Sequence, residues 1–168
     1  QAEMEQKVVH VSEYGNDETG TGTWYAPYAT ISHAAETEPG SLILVGGGEY
    51  EPFELGPGCS GSEDSPTVIR PAEGAKVVIP VEDEAGIFLK NVQNISVEGL
   101  ETVGGVYAIE YLSTPEAGQQ ILSNISIRNC RVHDVRGEHG ICVYARNDLA
   151  PVTNLTIEGC EVYDCECH

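Results

Sequence analysis

Positive charge is scarce in this 168-residue chain: eight Lys and Arg stand against 27 Asp and Glu, for a formal net charge of -19. Such a field repels DNA, RNA and anionic membrane surfaces at long range, which argues against a nucleic-acid role. It also disfavours an acidic polysaccharide unless Ca²⁺ bridges the two sets of carboxylates. Apolar runs approaching the roughly 18 residues of a membrane-spanning helix are missing, so no membrane span is expected. The chain starts at Gln1 with neither an initiator Met nor a charged-then-apolar leader, and it reads as a processed chain.

The hydrophobic fraction is 40%, enough to bury a continuous core. Six cysteines (Cys59, Cys130, Cys142, Cys160, Cys165 and Cys167) in an acidic, lysine-poor chain fit an oxidising compartment, and an extracellular or cell-surface location is expected. Parallel solenoids also bury unpaired cysteines as small apolar fillers, so both oxidation states stay open.

Three segments repeat at an interval of 30 residues, beginning at Asn94, Asn124 and Asn154: Asn-Ile-Ser-Val-Glu-Gly-Leu-Glu, Asn-Ile-Ser-Ile-Arg-Asn-Cys-Arg and Asn-Leu-Thr-Ile-Glu-Gly-Cys-Glu. Short β-branched runs broken by Gly and Asn at this period describe a solenoid, one coil per copy. The expected fold is all-β: a right-handed parallel β-helix of about five coils. Residues 1–40 read as a strand (Val8 to Val11), a loop and a capping helical turn within Pro27 to Ala35. Residues 41–168 read as the coils, with repeats near 94–123, 124–153 and 154–168.

Stacking the copies turns positions into columns. Ile95, Ile125 and Leu155 make one apolar column, Val97, Ile127 and Ile157 the next, and Leu100, Cys130 and Cys160 a third. Ser96, Ser126 and Thr156 face outward between them. Asn94, Asn124 and Asn154 fall at the bend entering the strand, where Asn tolerates a left-handed backbone and its amide can bond along the stack. Their Asn-x-Ser/Thr pattern is a by-product of the repeat rather than a set of glycosylation sites. Glu98, Arg128 and Glu158 alternate in sign, as do Glu101, Arg131 and Glu161, so each arginine is expected between two carboxylates, setting register. A 28-residue step places Arg70 above Glu98.

Several motifs taken together carry a family resemblance. They are the Gly-Asn-Asp loop at residue 15, Pro27-Tyr-Ala-Thr-Ile, Glu38-Pro-Gly-Ser-Leu-Ile-Leu-Val45, Gly48-Glu-Tyr50, and Asp64-Ser-Pro-Thr-Val-Ile-Arg-Pro-Ala-Glu-Gly74. Over nearly its whole length the chain resembles the amino-terminal cap and first rungs of secreted right-handed parallel β-helix proteins of the pectate lyase-like superfamily. That group includes polysaccharide lyases, epimerases, tailspikes and adhesins, so the resemblance is specific for fold and poor for activity.

A lyase reading needs a Lys or Arg base and Ca²⁺ held by acids. The Asp134-Val-Arg-Gly-Glu-His139 loop offers Arg136 and His139 as catalytic candidates and Asp134 and Glu138 as Ca²⁺ ligands, against the plain reading of a solvated loop. Asp17 and Glu18 read as solvated turn residues, with a weak Ca²⁺ site as the other reading. Cys165-Glu-Cys167-His168 lacks the two-residue spacing of c-type haem attachment. With His133 it would make a Zn²⁺ ligand set. Disulfides among Cys130, Cys160, Cys142, Cys165 and Cys167 are the competing reading, Cys130 and Cys160 being one rung apart.

Two functions follow from the sequence. One is an extracellular structural protein without a required cofactor, stacking head to tail through its open last coil into a homo-oligomer or filament. The alternative is the front part of a Ca²⁺-dependent polysaccharide lyase or related carbohydrate-active enzyme.

Overall fold

The computed structural model describes residues 5–148 and 151–166. The first strand, β1 (Val8–Val11), is followed by one short helix, α1 (Ile31–Thr37), and then by strands in sets of three. The first coil is β2 (Leu42–Val45), β3 (Gly48–Glu49) and β4 (Phe53–Leu55). The second is β5 (Thr67–Pro71), β6 (Val77–Val81) and β7 (Ala85–Lys90). The third is β8 (Ile95–Glu98), β9 (Glu101–Gly104) and β10 (Tyr107–Ser113), and the fourth β11 (Leu122–Arg128), β12 (Arg131–His133) and β13 (His139–Ala145). β14 (Val152–Glu158) and β15 (Glu161–Tyr163) start a fifth. Like strands pair in parallel from coil to coil, giving three sheets in the orders β1-β2-β5-β8-β11-β14, β3-β6-β9-β12-β15 and β4-β7-β10-β13. The architecture is a parallel β-helix of about five turns with one helix.

The turn chemistry explains why each coil bends where it does. Asn94, just before β8, and Asn124 and Asn154, the third residues of β11 and β14, hold φ of 49°, 61° and 50°, a conformation Asn accepts more readily than other side chains. Asn124 Nδ2 donates to Asn94 Oδ1 at 2.8 Å, and Asn154 Nδ2 donates to Asn124 Oδ1. These amides are committed to the stack. Gly99, Asn129 and Gly159 make the left-handed corner between the first and second strands of successive coils.

Inside, Ile95, Ile125, Val97, Ile127 and Leu100 are buried, together with Ile43, Ile69, Ile79, Ile87, Leu89 and Ile109 from the neighbouring coils. Burying each such side chain contributes roughly 2 kcal/mol. The buried Tyr111 hydroxyl donates to the Val92 carbonyl at 2.8 Å, so that polar group does not oppose packing.

The amino-terminal end is closed. The His10 N–H donates to Gly22 O, Tyr28 N–H to His10 O and Ser12 N–H to Tyr28 O, which occupies the outer edge of β1. Helix α1 packs against β4, β1 and β2 and buries Ile31, Ala34 and Ala35. Thr30 is its N-cap, accepting from His33 N–H. The Asp17 carboxylate accepts from Ala29 N–H at 2.7 Å, Thr30 N–H at 3.1 Å and the Thr30 hydroxyl at 2.7 Å. Asp17 thus clasps its loop to the segment that leads into α1. Burial would raise its pKa, but these bonds outweigh that and leave it lowered.

Of the two readings of the cysteines, a Cys130–Cys160 bridge or a reduced pair, the structure has the reduced one: Cys59, Cys130, Cys142, Cys160 and Cys165 are free. Cys130 Sγ lies 3.7 Å from Val97 O and Cys160 Sγ 3.6 Å from Ile127 O, the equivalent atom one coil on. Each thiol fills the inward column beside a carbonyl of the preceding coil, and the Cys160 side chain also lies within reach of the Cys130 thiol. Cys167 lies outside the described residues.

Candidate functional site

The sheet β4-β7-β10-β13 presents an outward face that carries both acids and aromatic rings. Register aligns Glu54 with Phe88, Phe88 with Glu110, and Glu110 with Cys142, so one column carries an acid, an aromatic ring, an acid and a thiol. Tyr107 stands beside it, aligned with Ala85 on one side and His139 on the other. A cleft of about 440 Å³ opens over Glu54, Phe88, Tyr107 and Glu110, with Asp83 and Glu84 at its rim.

Electrostatics separate the two column acids. Burial raises the Glu110 pKa, an effect that the Arg146 and His139 charges only partly oppose. Glu54 is the exposed residue in the alternating pattern of β4. Burial thus favours the neutral form of the Glu110 carboxyl. Cys142 is no competitor as a nucleophile: burial, with the Glu110 charge beside it, pushes its thiol up to about 12.

The loop from Asp134 to His139 does not gather round one ligand. His139 is the first residue of β13 and its Nε2 lies 2.8 Å from the Tyr144 hydroxyl, on the face just described. The Arg146 guanidinium sits 5.3 Å above the Tyr144 ring. Glu138 is an exposed residue just before β13. Asp134 turns instead to the neighbouring sheet, where its Oδ2 lies 2.6 Å from His133 Nδ1, and Arg136 Nη2 is 3.6 Å from its other oxygen. Arg136 also reaches Glu166 at 3.4 Å. With one oxygen on an imidazole and a guanidinium against the other, Asp134 is already neutralised, an unfavourable starting point for Ca²⁺.

His133 is likewise engaged on both nitrogens, Nε2 lying 2.7 Å from Glu101 Oε1. Neither nitrogen points to an open position for Zn²⁺. Cys165 Sγ lies 3.2 Å from Tyr163 O, and Cys167 and His168 lie outside the described residues. Among the described residues no group of three His, Cys, Asp or Glu is arranged to hold a metal ion.

The alternating charge columns pair in one direction. Arg128 Nη1 lies 2.9 Å from Glu158 and Arg131 Nε 3.2 Å from Glu161, both on the following coil. The upper carboxylates have other partners: Glu98 accepts from the Ser96 hydroxyl, and Glu101 takes His133 and Lys76. The expected sandwich of arginine between two acids is therefore half formed. No pair joins Arg70 to Glu98 among the described residues, although β5 and β8 keep the 28-residue register.

The solved structures give these coils their setting. The native GH136 lacto-N-biosidase from Eubacterium ramulus superposes with a TM-score of 0.74 at 18% identity, covering 94% of this chain and 34% of that one. Pectate lyase Pel9A gives a TM-score of 0.62 at 17% identity over 92% of this chain and 47% of its own. The fold is a pectate lyase-like parallel β-helix. This chain thus spans about a third and about half of the lengths of those two proteins. No family model matches the sequence, and no curated protein matches it.

The cleft face escaped the sequence reading for a definable reason. Its column runs from residue 54 to 88, 110 and 142 in unequal steps, because the loops between sheets differ in length from coil to coil. The only available signal was an outward Phe in a strand, at Phe88, where a buried strand alternates apolar-in and polar-out.

Proposed function

We propose that this chain is a carbohydrate-active β-helix protein that binds a neutral glycan along the outer face of β4-β7-β10-β13. The observation that carries the reading is the column Glu54, Phe88, Glu110: an aromatic surface for a sugar ring, flanked by two carboxyls of unlike environment. Stacked strands put Glu54 and Glu110 on the order of 10 Å apart at the backbone. Carboxyl separations of roughly 6.5–9.5 Å leave room for a water opposite the leaving group in inverting glycoside hydrolysis. Glu110 supplies the proton to the leaving oxygen, and Glu54 receives one from water. Glu54, Asp83, Glu84 and Glu110 make the cleft repel uronates, so hydrolysis of a neutral glycan fits better than Ca²⁺-dependent lyase chemistry. The matching enzymes act on glycans according to their names, which is consistent with this reading. A protein that meets polymeric glycans belongs outside the cell.

The test is incubation with glycans ending in lacto-N-biose, a panel of neutral polysaccharides, and polygalacturonate with and without Ca²⁺. New reducing ends from a neutral glycan, lost in Glu110→Gln, support the reading. Ultraviolet-absorbing unsaturated product from polygalacturonate overturns it in favour of lyase chemistry.

A further inference from the structure

The cap carries aromatic surface that neither the core nor the cleft uses. Trp24 and Tyr25 are 77% and 71% exposed, whereas Tyr28, Tyr50, Phe53 and Tyr111 are buried. Their rings meet edge to face, with centroids 5.5 Å apart and planes at 86°, so two aromatic planes form a corner. Large exposed aromatics side by side in a soluble chain mark a binding surface more often than isolated ones do.

The turn that presents them is fixed. Thr23 and Ala26 form an antiparallel bridge, Thr21 and Gly22 N–H both donate to Ala26 O, and the Thr21 and Thr23 hydroxyls are 2.9 Å apart. Behind it, Asn16 N–H donates to Pro27 O. Gly15 and Gly20 let the loop close on this segment, since a Cβ at either would lie within 2.2 Å of a backbone oxygen. A surface held rigid before binding loses little entropy on binding.

Charge selects the ligand class. From Thr19 to Ser32 there is no Asp, Glu, Lys or Arg, in a chain of net charge -19. The neighbouring polar groups are the threonine hydroxyls. An anionic lipid surface or polyanion finds no cation in this segment, and the carboxylate held against it, Asp17, is spent on the Ala29 and Thr30 N–H groups and the Thr30 hydroxyl. A neutral saccharide matches both features, its C–H faces against the ring planes and its hydroxyls against Thr21 and Thr23.

We propose that Trp24 and Tyr25 form a neutral-glycan binding platform on the cap, separate from the β4-β7-β10-β13 cleft. It does not rest on the hydrolase reading of that cleft.

Trp24 is the one tryptophan of the chain, so tryptophan-selective fluorescence reads this site directly. The full chain is titrated with cellohexaose, maltohexaose and mannohexaose, and in parallel with polygalacturonate and phosphatidylserine vesicles. The expected result is a saturable emission change with at least one neutral oligosaccharide. It should be unchanged in Phe88→Ala, which weakens the cleft, and weakened about tenfold in Tyr25→Ala, with circular dichroism confirming that both variants are folded. Emission unmoved by every neutral oligosaccharide, equal affinity in Tyr25→Ala, or a response confined to the polyuronate or the vesicles overturns the proposal. Loss of binding in Phe88→Ala would assign the sugar to the cleft and overturn it as well.

Discussion

The imidazole of His133 lies with Nε2 2.7 Å from Glu101 Oε1, across the gap between two coils, and with Nδ1 2.6 Å from Asp134 Oδ2. Its ring also stacks on Tyr163 of the last strand, at 4.8 Å and 10°. Lys76 faces the Glu101 carboxylate, and Arg136 faces Asp134. The hydrogen bonds that His133 donates to Asp134 and then Glu101 raise its pKa from the ordinary 6.5, against the opposing effect of burial. A histidine raised on folding stabilises fully below its unfolded value and loses that contribution as pH rises through the folded one. Glu101 moves the other way: burial raises it, but His133 and Lys76 outweigh that and hold it below 4.5. Stability from this pair therefore falls as acid protonates Glu101 and as base deprotonates His133. Thermal unfolding followed across pH should show the midpoint declining above about 6.5, and His133→Asn should flatten that decline. An unchanged slope in the variant would assign the pH dependence elsewhere.

Position in the stack should decide how much one column contributes. Ile127 is fully buried, while Ile157, one coil later in the same column, is half exposed. Ile127→Ala is expected to destabilise by about 3 kcal/mol and Ile157→Ala by well under about 1 kcal/mol. Urea denaturation of both variants checks the contrast.

The asparagine stack combines backbone and side-chain roles that can be separated. Asn124→Gly keeps the positive φ but deletes the amide between Asn94 and Asn154, whereas Asn124→Ala loses both. The alanine variant is expected to cost about 2 kcal/mol and the glycine variant about 1 kcal/mol. Equal losses would mean that the amide alone matters.

Thiol accessibility tests the reduced state. Cys59 and Cys130 are buried, and burial pushes their thiols up to about 11 and about 12. Both should resist alkylation in the native protein and label only on unfolding, while Cys165 labels first. Mass spectrometry after timed labelling reads the order, and a Cys130–Cys160 crosslink in the material would contradict it.

Glu110→Gln should abolish turnover of a neutral glycan while leaving its binding nearly intact, because the amide keeps the shape and loses the proton. Phe88→Ala should do the reverse and weaken binding about tenfold. Initial rates and direct binding measurements separate the two.

The coils were legible in the sequence where their length is constant. Asn94, Asn124 and Asn154 share one bend geometry, and β-branched residues alternate beside them, so a 30-residue interval fixes both period and inward face. Strands β3 and β4 were harder to see, with two and three residues each and a shorter first coil. Side-chain partnership was least legible. Arg128 and Arg131 each have carboxylates one coil above and below, and periodicity treats the two directions alike. The choice fell to the following coil because Ser96, His133 and Lys76 already satisfy the upper acids.

The sequence by itself thus determined the parallel solenoid, its cap and the burial columns, because local turn chemistry and alternation repeat with the chain. Only the tertiary structure decided that residues 54, 88 and 110 share a face, that the Asp134 to His139 loop divides between two sheets, and that the β1 edge is covered. Those relationships depend on unequal loops returning to a common stacking axis, and no local pattern of residues encodes where such a loop will land.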